Sequence, residues 1–150
     1  MGIEKDIHQA SFKSAQQKAM VNVLYTYGWI IERIKNILAE EDITHQQYNI
    51  LRILRGSAPQ PLSTLQIRER MLDKMSDTSR IVDRLVLKGM AKKTICAKDK
   101  RLVDVVITEK GQKVLKKLDQ ESSGWDAIIN LSDNEAEQLS HLLDKLRQAE

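Results

Sequence analysis

The 150 residues carry 24 Lys and Arg against 21 Asp and Glu, 41% hydrophobic and 30% charged side chains, and one cysteine. That composition suits a globular chain with its own core and excludes a disulfide-stapled scaffold; no apolar run approaches the roughly 20 residues that a membrane-spanning helix requires. The stretch MGIEKDIHQASFK lacks a hydrophobic signal core and has Asp6 where a myristoylation motif needs Ser or Thr, so the expected compartment is the cytoplasm.

From about Ser11 to Glu40, apolar residues at Met20, Val23, Leu24, Tyr27, Ile30, Ile31, Ile34, Ile37 and Leu38 recur every three or four positions, which predicts a long helix with one apolar stripe. Asp42 and Ile43 end it. THQQ (Thr44–Gln47) is a capping-box sequence that opens a second helix, with Tyr48, Leu51 and Leu54 inward as far as Gly56. The connector GSAPQPLS holds both prolines, and STLQ (Ser63–Gln66) opens a short third helix to about Met71.

From Ser76 the segment SDTSRIVDRLVLKG places Ile81, Val82, Leu85 and Val86 on one side and Arg80, Arg84 and Lys88 on another. Gly89 stands ready to end the helix in a left-handed conformation. Two short helices joined by a tight turn, the second polar at its start and basic along a face, form a helix-turn-helix pattern. The period then changes to two: AKKTICA and LVDVVIT flank the charged tetrad Lys98, Asp99, Lys100 and Arg101, which predicts a hairpin with Val103, Val105 and Ile107 half buried. Thr108 caps a helix bearing Val114, Leu115 and Leu118, and the capping box SDNE (Ser132–Glu135) opens a last helix through Leu139, Leu142, Leu143 and Leu146.

Charge is unevenly distributed along this order. Arg68–Arg101 holds eleven Lys and Arg against five Asp and Glu, a local +6, whereas Asp119–Glu150 holds eight acids against two bases, a local −6. A polyanion would meet the middle of the chain and avoid its acidic end.

The run from Leu62 to Leu118 resembles the MarR family of bacterial transcription regulators, whose wing ends in an Asp-x-Arg motif followed by Leu/Ile-Thr-x-x-Gly. Here Asp99-Lys100-Arg101 and Ile107-Thr108-Glu109-Lys110-Gly111 occupy those places. The resemblance implies a mainly α fold with a small β-hairpin wing. Its winged helix-turn-helix core would form a DNA-binding lobe over about 44–107, with dimerisation helices over about 8–40 and 108–148, all in one domain of 150 residues. It also implies a homodimer on two half-sites of a pseudo-palindromic double-stranded operator, and a small-molecule effector pocket between the dimerisation helices and the DNA-binding lobe.

The residue chemistry agrees with that mode of binding. Ser76, Thr78 and Ser79 stand where a recognition helix meets base edges or phosphate, with Ser76 also expected as the helix cap, and Arg80 is the strongest candidate contact. Arg84 either contacts phosphate or pairs with Asp83. Lys98, Lys100 and Arg101 suit the adjacent minor groove, where arginine is favoured, and the resemblance gives Asp99 the task of orienting a neighbouring arginine. Tyr25, Tyr27, Trp29 and Met20 put more apolar surface on the first helix than the short elements cover, which favours a partner chain; with Tyr48 they are expected as core or interface.

Cys96 is expected to be a small packing residue rather than a redox sensor, because the peroxide-sensing relatives carry their reactive cysteine in the first helices. His8, His45 and His141 lack metal-ligand spacing, so neither metal nor cofactor is expected. No phosphate loop, nucleophile elbow or catalytic pair appears, and the expected function is a sequence-specific transcription repressor relieved by an effector rather than an enzyme. The alternative is a winged-helix module that binds nucleic acid without sequence choice, or a protein partner, without effector response.

Overall fold

The computed structural model describes residues 2–95, 97–99, 102–121 and 125–148. A short helix α1 (Ile3–Asp6) precedes the long helix α2 (Ala15–Leu38), whose first turn is capped by Ser14 accepting from the Gln17 N–H at 3.0 Å. A 3-10 turn (Ala39–Glu41) and Asp42, in the left-handed region at φ +50°, reverse the chain into α3 (His45–Ser57). Both halves of the Thr44–Gln47 capping box form at 3.1 Å, as that sequence predicts.

After the connector come β1 (Leu62–Ser63), α4 (Thr64–Arg70), α5 (Thr78–Leu87), β2 (Ala91–Ile95), β3 (Val103–Ile107), α6 (Glu109–Glu121), a 3-10 turn (Trp125–Ile128) and α7 (Asp133–Arg147). Gly89 ends α5 at φ +73°, in the conformation expected of it. The sheet is antiparallel in the order β1-β3-β2: Ala91 faces Ile107 and Ile95 faces Val103, while Leu62 faces Val105. The third strand and α1 were not expected from the sequence. A strand of two residues is too short to show a period, and Leu62 is held there by pairing with a residue 43 positions away.

One core joins these elements. Ile50, Leu51 and Leu54 of α3, Ile67 of α4 and Met71 just after it, Val82 and Leu85 of α5, Val105 of β3 and Leu115 of α6 are all buried, together with Ile34 and Leu38 at the end of α2. Each such side chain contributes about 1.5–3 kcal/mol. The hairpin alternation is only partly expressed: Val105 is fully buried, while Val103 and Ile107 pack against the core from its margin. The architecture is a winged helix-turn-helix, mainly helical with a small β-wing, as expected.

The flanking helices fit the expectation of uncovered apolar surface. Tyr48 is core, but Met20, Leu24, Tyr25, Tyr27 and Trp29 of α2 remain exposed, with Leu24 64% accessible, and the Arg33 guanidinium stacks on the Trp29 ring at 3.4 Å. Helix α7 buries no residue, and its Leu139, Leu142 and Leu146 are exposed.

Candidate nucleic-acid interface

The start of α5 is built by a polar turn. Asp77, rather than Ser76, is the N-cap, its carboxylate accepting from the Arg80 N–H at 3.2 Å. Thr78 also departs from its expected place at base edges: its side chain is 4% exposed, and its hydroxyl is buried without a hydrogen-bond partner, as is that of the half-buried Ser76. In this geometry the solvent-facing groups of the first turn are Ser79 and Arg80, and the Arg80 guanidinium leans on Asp77 at 3.6 Å while staying 72% exposed.

A cleft beside this turn is lined by Thr64, Leu65 and Arg68 of α4 and by Ser76, Asp77, Thr78 and Ser79. Arg68 was not among the residues expected at this surface. Its position in the second turn after the Ser63 cap is the signal that could have found it, because that turn faces the start of the next helix. Farther along α5, Asp83 pairs with Lys93 of β2 and not with Arg84, which leaves Arg84 exposed at the edge of a second cleft shared with Asp42, Gln47 and Lys88.

On the wing, Lys98 is exposed, and the Asp99 main-chain oxygen accepts from the Leu102 N–H at 2.9 Å. Lys100, Arg101 and Cys96 lie outside the described residues, and with them the partner expected for the Asp99 carboxylate. The motif after the wing has a structural role. The Thr108 hydroxyl donates to the Gly89 carbonyl at 2.6 Å and accepts from the Gly111 N–H at 3.2 Å, while the Thr108 N–H donates to the Met90 carbonyl at 3.0 Å. This clip fastens the end of α5 and the root of the wing to α6.

Between α2 and the helix-turn-helix lies a small apolar cavity of about 170 Å³, walled by Tyr27, Ile30, Ile31 and Ile34 on one side and by His45, Gln46, Asn49, Met71, Leu72 and Asp73 on the other. Burial holds the His45 imidazole below its ordinary pKa, and the Lys35 charge adds to the effect. Among the described residues no cluster of His, Cys, Asp and Glu could hold a metal ion, and no helix is long and apolar enough to cross a membrane.

Residues 43–103, which run from just before the cap of α3 to the first residue of β3, match the model of the MarR family. The chain carries a MarR-family domain. A solved structure of a MarR transcription factor from Planctomyces limnophilus is 29% identical over 93% of this chain and 100% of its own, with a TM-score of 0.67. A MarR-like transcription regulator from Bacillus cereus is 20% identical over 89% of this chain and 96% of its own, with a TM-score of 0.76. The Bordetella bronchiseptica protein BpsR, described by a mechanism for regulation of its DNA binding by 6-hydroxynicotinic acid, is 16% identical over 93% of this chain and 100% of its own, with a TM-score of 0.70. No curated protein matches the chain in sequence. The Asp-x-Arg wing motif that carried the resemblance straddles the described and undescribed residues, whereas Thr108 and Gly111 beyond the matched segment are fully placed.

Proposed function

We propose that this chain is a cytoplasmic, homodimeric, sequence-specific DNA-binding transcription regulator, acting as a repressor that a small-molecule effector relieves. The observation that carries the DNA-binding reading is the first turn of α5: Ser79 and Arg80 face solvent on a helix anchored in the core by Val82 and Leu85, inside a segment of net charge +6, on a MarR-family winged fold. Ser79, Arg80 and Arg84 then meet the major groove, Ser76 and Thr78 shape the turn that aims them, and Lys98, Lys100 and Arg101 of the wing approach the neighbouring minor groove with Asp99 as orienting group.

The exposed leucines and aromatics of α2 and α7 support the homodimer, because a partner chain gives that surface its cover. Two half-sites about one helical turn apart follow from such two-fold symmetry. The cavity against α2 supports the effector: its volume is close to that of an apolar cavity of about 150 Å³ that accepts a benzene ring. A relative whose DNA binding is regulated by an aromatic acid supports the same reading. An effector releases DNA to the extent that it binds one dimer geometry more tightly than the other.

The test is selection of bound duplexes from a random library by the purified protein. Fluorescence anisotropy across a salt series would follow, on the enriched duplex and on an unrelated one of equal length. A preference that persists at physiological salt is expected; equal, steeply salt-sensitive binding to both duplexes would refute sequence-specific regulation.

A further inference from the structure

We propose that Lys88, the residue that caps the C-terminus of α5, is a positioning residue that locks the direction of α5 to that of the long helix α2, and so sets the half-site spacing the protein accepts. The inference rests on the dimeric DNA-binding reading above.

Lys88 is the C-cap of α5, and its ammonium reaches into the elbow where the chain turns from α2 into α3. There it donates to the main-chain carbonyl of Asp42 and to the Gln47 side-chain oxygen at 3.3 Å. That oxygen also accepts from the Thr44 N–H at 3.1 Å, so the lysine is built into the cap of α3, on a glutamine that is itself 4% exposed. Asp42 holds the left-handed residue of the elbow, which places its carbonyl. The Asp42 carboxylate stands 3.8 Å from the ammonium but is fully exposed; the carbonyl and the buried amide therefore carry the link, and the ion pair adds little.

The other side of the same residue is also tied. Its main-chain carbonyl accepts from the Lys110 ammonium of α6 at 2.7 Å, and Glu41 of the elbow pairs with Lys117 of the same helix. Helices α2, α5 and α6 thus converge on one polar junction. An open cleft of about 400 Å³, lined by Ala39, Ile43, Arg84 and Leu87, lies beside the lysine contact, so close apolar packing does not replace the ammonium there. Swinging α2 carries the elbow, and through Lys88 the elbow carries the end of α5. Without the ammonium, α5 keeps its core contacts through Val82 and Leu85 and its tie to α6, but loses its direct polar link to the elbow, so its direction follows that of α2 less closely.

The experiment compares wild type, Lys88→Met, Lys88→Gln, Lys88→Arg and Asp42→Asn on the duplex that wild type enriches from a random library, and on versions with one base pair added or removed between half-sites. Wild type is expected to penalise the altered spacings. The Met variant should lose about tenfold of that penalty, within the roughly 5–150-fold range of coupling between sites, while its circular dichroism and sedimentation match wild type. Arginine should restore the penalty, because it keeps charged donors, and Asp42→Asn should leave it unchanged. A Met variant that discriminates spacing as sharply as wild type overturns the inference. So does loss of folded structure in both the Met and Gln variants, because Lys88 would then hold the fold and not the helix direction. Wild type that enriches no duplex refutes the DNA-binding reading itself, and this inference with it.

Discussion

Replacing Gly111 with alanine places a methyl carbon 2.4 Å from the Met90 carbonyl oxygen and 2.7 Å from Cγ1 of Ile107. An ordinary carbon–oxygen contact is about 3.3 Å or more, so something must move by nearly 1 Å. The oxygen cannot yield freely, because it is main chain and accepts the Thr108 N–H at 3.0 Å. Relieving the overlap therefore pushes α6 away from the root of the wing and stretches the Thr108 clip. Overpacking of this kind costs about 1–3 kcal/mol and a weakened hydrogen bond about 1 kcal/mol, while alanine's better helix propensity returns about 1 kcal/mol. The net expectation is a loss of about 2 kcal/mol, or a fall of about 4–8 °C in melting temperature for a chain of this size. Thermal unfolding followed by circular dichroism at one fixed protein concentration measures it, since association makes the midpoint concentration-dependent. Gly56→Ala, near the exposed end of α3 with nothing within 4 Å of the added methyl, is the control, expected to gain up to about 1 kcal/mol. A Gly111→Ala protein that melts at or above the wild-type temperature would refute the steric argument.

Arg101→Ala should weaken binding to the enriched duplex by about 1–3 kcal/mol in anisotropy titrations while leaving the melting temperature unchanged; undiminished affinity would remove the wing from the interface. Introducing Glu at both Leu24 and Leu142, exposed apolar positions of α2 and α7, should convert the proposed dimer to a monomer in sedimentation equilibrium, and a dimer that persists would place the interface elsewhere. Folded His45 has a lowered pKa, mainly through burial, so the unfolded chain binds more protons and stability rises with pH through the histidine range. Melting temperature should accordingly drop between pH 7.5 and 5.5, and His45→Gln should flatten that slope; an identical slope would show that another group is responsible. At lower pH the loss should continue. The Glu4 carboxyl, held down by Lys18, and the Glu135 carboxyl, held down by the Ser132 hydroxyl and N–H, contribute stability only while ionised, and it is lost as pH falls through their lowered pKa values.

Local signals told the element order well. Three capping boxes, at Thr44, Ser63 and Ser132, form as their sequences predict, because a cap is a contract between residues three apart and needs no tertiary partner. Gly89 ends α5 for the same reason. The motif from Ile107 to Gly111 was visible in the sequence as a pattern only. Its cause, a glycine pressed against the Met90 carbonyl, is a contact between residues 21 apart and exists only once the wing folds back onto α6.

The candidate interface divides along the same line. Composition and charge located the basic segment and the acidic end, since both are properties of the chain itself. Which face of α5 its hydroxyls occupy was decided by packing: Thr78 turns inward, Asp77 takes the cap expected of Ser76, and Asp83 finds Lys93 across the helix–strand gap instead of its neighbour Arg84. The two-residue strand at Leu62, the cavity against α2 and the junction at Lys88 each depend on residues more than twenty positions apart meeting in space. Periodicity reports which face of an element is apolar, but only assembly of the core determines what that face, or the polar one opposite, will meet.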